Sequence, residues 1–111
     1  MRQIETEMNN AVRNKIAWSK SNTVTTFDNT LENCFVYLHG NHIATYNYAN
    51  KKLQIFDGGW QSNTTKSRLN ALINEFTDGT KNGVFQKNWS WFITADGATH
   101  DFADGFELAV A

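Results

Sequence analysis

The chain has 111 residues, 41% of them hydrophobic, 14% aromatic and 19% charged, with a net charge of −1 and no proline. That length fits one domain, since domains run about 100–150 residues and a chain of this size buries roughly two-thirds of the surface it exposes when unfolded. The apolar mass excludes disorder, the absence of any apolar run near ~18 residues excludes a membrane-spanning helix, and the missing basic excess argues against a protein that lives on nucleic-acid phosphates.

Ile4, Met8, Ala11, Val12 and Ile16 recur at helical spacing and predict an amphipathic helix from about Gln3 to Ala17. Glu5 and Glu7 lie in its first turns, with Arg13 and Lys15 in its last, the order the helix dipole favours. The first residues, Met1 to Glu7, lack the apolar stretch of a signal peptide. Trp18 is expected to close the helix onto the core, and Ser19 to Asn22 to form a loop.

Thr23 to Phe27 is β-branched and suits a strand. Cys34 to Leu38, Ile43 to Tyr48 and Leu53 to Phe56 continue an antiparallel meander, with turns at Asp28-Asn29-Thr30, Gly40-Asn41 and Asn50-Lys51. Leu69, Leu72, Ile73 and Phe76 then form a second helical stripe, with Asn63 or Thr64 as N-cap and Gly79 just past the end. Strands follow at Val84 to Gln86, Trp89 to Thr94 and Ala98 to Phe102, with Asp96-Gly97 as a hairpin turn and Asp104-Gly105 as another before Phe106 to Leu108. The expectation is a single α+β domain over residues 1–111, in the order α-β-β-β-β-α-β-β-β. Its sheet is mostly antiparallel, with two amphipathic helices on one face.

The segment Gly58 to Arg68 is glycine-rich, leads into the second helix and places Lys66 and Arg68 in its first turns. Cations there oppose the helix dipole at about 0.3–1 kcal/mol each, a cost that invites a functional reading. Free helix N–H groups, the hydroxyls of Thr64, Thr65 and Ser67, and the two cations would together hold a phosphate or a partner's carboxylate. The simpler reading is a capped helix start with solvated cations. A P-loop is excluded, because Thr65 stands where that motif needs glycine before Lys-Ser.

Alternation puts Phe35, Tyr37, His39, His42, Ala44, Tyr46 and Tyr48 on one face of the first hairpin, and Val36, Leu38, Ile43 and Thr45 on the other. The aliphatic face is the better core candidate, which leaves Tyr37, His39, His42, Tyr46 and Tyr48 as a candidate contact face. The competing reading covers that face with a helix. Across a Gly40-Asn41 turn His39 and His42 would face each other, but two imidazoles are fewer ligands than a zinc site needs. Trp89, Trp91 and Ile93 read as core, and Cys34 as an inert strand cysteine outside any disulfide, as in a reducing cytoplasm. No motif in the chain requires a cofactor.

Four segments carry a resemblance: Met1 to Ile4, Val36 to Ala44, Gly59-Trp60-Gln61 followed by Thr64 to Leu72, and Gln86 to Trp89. In these the chain resembles small accessory proteins encoded by tailed bacteriophages. That family has no assigned activity, so no catalytic or binding residue is carried over. The resemblance implies a protein made in the host cytoplasm of an infected bacterium, to inhibit or redirect a host protein.

The leading functional expectation is therefore a non-enzymatic protein that binds a host or phage macromolecule, for example as an inhibitor of a host defence system. Two alternatives accompany it. One is a nucleic-acid-binding module, since helix, meander and helix resemble the layout of the double-stranded RNA-binding fold with Lys66 and Arg68 at the phosphate end. The other is a phosphate- or nucleotide-sequestering protein using Gly58 to Arg68. An exposed sheet face or edge also allows a homodimer; no membrane partner is expected.

Overall fold

The computed structural model describes residues 1–111. Met8, Ala11 and Val12 form the buried stripe of the first helix, α1 (Gln3–Arg13). The helix stops four residues short of the predicted end at Ala17. Lys15 adopts φ 53°, and the Ile16 and Lys15 amides bond back to the carbonyls of Ala11 and Val12 at 2.9 and 3.4 Å. This is a left-handed C-terminal cap that commonly uses glycine. Ile16 is thus a contact of the cap, and the chain turns at once into a short extra strand, β1 (Trp18–Lys20), where a loop was expected.

Four strands follow: β2 (Thr23–Phe27), β3 (Asn33–Leu38), β4 (Asn41–Asn47) and β5 (Lys52–Ile55). The second helix, α2 (Asn63–Phe76), separates them from β6 (Gly83–Lys87), β7 (Ser90–Ala95), β8 (Ala98–Asp101) and β9 (Phe106–Ala109). The architecture is α+β with antiparallel pairing throughout, as expected, but the strands divide between two sheets. One has the order β1-β2-β3-β4-β5-β9, because β9 returns to pair with β5; the other is β6-β7-β8.

In the larger sheet one face is aliphatic and covered. Cys34, Val36, Leu38, Leu53 and Ile55 are buried on it with Thr23 and Thr25. Against them pack Met8 and Val12 of α1 and Leu69, Leu72 and Ile73 of α2. The helices run parallel, since Glu5 meets Arg68, Asn9 meets the Ala71 carbonyl and Arg13 meets Glu75 in step along both. Both therefore begin at the same end of the molecule. The small sheet docks on the flank of α2. There Asn70 donates to the Val84 carbonyl at 2.9 Å and accepts from its N–H at 2.8 Å, while Val84, Trp91 and Ile93 join the common core.

Candidate functional site

The cap of helix α2 lies one residue before the expected positions. The Ser62 hydroxyl accepts from the Thr65 N–H at 3.1 Å, so Ser62, and not Asn63 or Thr64, is the N-cap. At the other end Thr77 closes the helix and Gly79 lies beyond it. Of the five residues of the candidate anion site, three are turned inward. Thr65 is buried and its hydroxyl donates to the Trp60 carbonyl at 3.3 Å. Ser67 donates to the Glu5 carboxylate at 2.6 Å.

Arg68 is 3% exposed and forms a 2.8 Å ion pair with Glu5. Its other nitrogens reach Thr23 at 3.1 Å and Asn22 at 3.3 Å. A guanidinium buried and paired with a carboxylate in this way is not presented to a phosphate in solvent, so the two-cation clamp at the helix start does not form. Lys66 and Thr64 remain half-exposed, and Lys66 reaches Gln86 at 3.4 Å. Burial alone would push the Glu5 carboxyl up; hydrogen bonds from Ser67, Arg68 and the Arg2 N–H, with the charge of Arg68, outweigh it and hold the carboxyl below its ordinary range.

The aromatic residues of the first hairpin are divided by one irregularity. The turn is His39-Gly40, with φ 52° and 77°, and Leu38 faces Asn41 across it. Farther down, Tyr37 faces His42 but Val36 faces Ala44, so Ile43 is the extra residue of a β-bulge. Ile43 and Ala44 both point inward and are buried. Every residue after the bulge changes face relative to simple alternation. Tyr46 and Tyr48 therefore lie under the helices, their rings 4.5 Å apart, with Tyr46 edge-on to Phe76. The Tyr48 hydroxyl donates to the Val12 carbonyl, and Lys15 lies over its ring at 4.6 Å. His39 sits exposed on the turn, so it does not pair with His42, and His100 lies apart on exposed β8.

Tyr37 and His42 stay on the opposite, uncovered face, and two rings join them. His42 lies 5.6 Å from Tyr37, 6.0 Å from Phe35 and 4.4 Å from Phe56. Its Nε2 hydrogen-bonds Thr45 at 2.7 Å, and burial lowers its pKa, so it is neutral at neutral pH. Phe56, the last residue of the predicted strand Leu53 to Phe56, carries no signal of its own for this site; it directly follows buried Ile55, and alternation from there puts it outside. The result is a half-buried aromatic cluster bordered by Val24, Thr26, Thr45 and Gln54.

Beyond the hairpin tip Leu38, His39, Asn41, Ile43, Asp57, Gly58 and Trp60 line a cleft of about 350 Å³. Gly58 is needed there, since a Cβ would sit 3.1 Å from Ile43 and 3.2 Å from Asn41. Trp91 and Ile93 are core as expected, but Trp89 is 91% exposed at the tip of the β6–β7 hairpin. Cys34 is buried beside Tyr48, and burial pushes its thiol up to about 12.

No helix is long and apolar enough to cross a membrane. No curated protein and no solved structure matches the chain. Residues 1–109 match one family of phage proteins, in agreement with the resemblance drawn from the segments above: the chain belongs to the Kyanoviridae Gp96 protein family.

Proposed function

We propose that this phage protein is a non-enzymatic binding protein whose uncovered sheet face docks a protein partner of host or phage origin, with inhibition of a host defence protein as its role. The observation that supports this most is the ring cluster of Phe35, Tyr37, His42 and Phe56 on the face that neither helix covers. An apolar aromatic centre with a polar rim is the composition of a protein-binding hot spot. The cluster carries no charge at neutral pH, which favours an uncharged protein surface over a phosphate backbone.

Capture from lysates of uninfected and infected host cells tests this. The wild type is expected to retain a specific protein that the double variant Tyr37→Ala, Phe56→Ala loses. Unchanged far-ultraviolet circular dichroism and a cooperative melt would show that the variant is folded. No specific partner, or equal retention by the variant, would overturn the proposal. So would a concentration-dependent homodimer that the same variant dissolves, because a second copy would then occupy the face.

A further inference from the structure

The β6–β7 hairpin presents an unusual tip. Three β-hairpin turns of the fold have two successive central residues with positive φ: His39-Gly40, Asp96-Gly97 and Asn88-Trp89. The first two use glycine at the second position, which that geometry favours. The third puts tryptophan there, at φ 70° and 91% exposed. The position is therefore unfavourable twice over, by backbone strain and by a large ring left in water, a combination that points to function.

The tip's place in the fold supplies the rest. Asn70 bonds Val84 and Lys66 bonds Gln86, so β6 advances toward the start of α2 and its hairpin ends there. Lys66, Gln86, Asn88 and Trp89 line a shallow depression of about 490 Å³ with no carboxylate in it. Exposed Lys87, one residue on from Gln86, faces the other side of the small sheet with Phe85, Phe92 and Thr99. Trp60, 73% exposed, lies at the same end, two residues before the Ser62 cap. Asp57, which lines a cleft with it, accepts from the Gly59 N–H at 2.7 Å and from Gln61 at 3.3 Å. Two solvent-facing indoles and Lys66 thus occupy one end of the molecule.

We infer that this end binds single-stranded nucleic acid, with bases stacking on Trp89 and Trp60 and a phosphate meeting Lys66. Unpaired bases offer the π-faces that exposed indoles recognise, and such stacking needs few cations. A duplex hides those faces and asks for a row of basic groups that a chain of net charge −1 lacks. An acidic peptide would use Lys66 but would leave both indoles without a role. The site is separate from the aromatic sheet face, so either proposal can fail without the other.

Tryptophan fluorescence reads the interaction directly, because Trp60 and Trp89 are exposed while Trp91 is buried and Trp18 half-buried. A thymidine or uridine oligonucleotide of roughly 10 nucleotides is expected to quench the solvent-exposed emission at low salt. Trp89→Ala and Trp60→Ala should each weaken binding about tenfold. Lys66→Ala should reduce the slope of log affinity against log salt by about 0.7. Trp89→Gly is the sharpest variant: it creates the favoured Asn-Gly turn, so binding should fall while the melting temperature stays at or above that of the wild type. No quenching by either oligonucleotide, equal affinity for a duplex of the same length, equal competition by polyglutamate, or full binding by Trp89→Gly would each overturn the proposal.

Discussion

Glu5 and Arg68 show how one side chain's environment decides its chemistry. On sequence alone Arg68 is a cation at a helix start, where the dipole disfavours it. In the fold it is withdrawn from solvent and held by Glu5, Thr23 and Asn22. Removing one partner of a buried pair leaves an uncompensated charge, so Arg68→Ala should cost about 3–5 kcal/mol in urea denaturation. Because the Glu5 carboxyl titrates below its unfolded value, its contribution is present above the ordinary carboxylate range. It is lost as pH falls through the lowered value, and Glu5→Gln should flatten that part of the acid-stability curve. Cys34 gives a second test at this scale. A thiol pushed up to about 12 and fully buried should stay unreactive toward a disulfide reagent in the native protein and react at once in denaturant.

At the scale of elements, turns and irregularities set what each strand presents. Gly97 has φ 82° and nothing near its missing Cβ. Gly97→Ala should therefore cost about 1 kcal/mol through backbone conformation alone, measurable as a lowered urea midpoint with unchanged slope. The bulge at Ile43 has larger consequences, since one inserted residue moved Tyr46 and Tyr48 from the contact face to the core. Alternation was readable along each strand, but nothing local marks Ile43 as the extra residue. The bulge answers to the need to bury Ile43 and Ala44 together beneath α2. The end of α1 follows the same pattern: the apolar period continues to Ile16, while the Lys15 cap stops the helix earlier.

In the whole molecule, two sheets share one core through α2. The Asn70 side chain bridges both backbone groups of Val84, so Asn70→Ala leaves a donor and an acceptor without their partner at the joint. A loss of about 1–3 kcal/mol is expected, with hydrogen exchange in β6 to β8 rising before exchange in the larger sheet. That arrangement also separates two surfaces: an aromatic sheet face without charge, and an end where both helices begin and two indoles accompany Lys66.

The sequence by itself determined the class of the protein: two amphipathic helices, short antiparallel strands and a phage-like set of segments. Those features are periodicities and turn residues, which neighbouring residues encode. Only the tertiary structure decided which candidates are available. Arg68 is spent on an acid 63 residues away, a single-residue bulge reassigns the tyrosines, and a tight turn carries Trp89 out of the core. Each depends on a distant partner or a one-residue register shift, and a local pattern records neither.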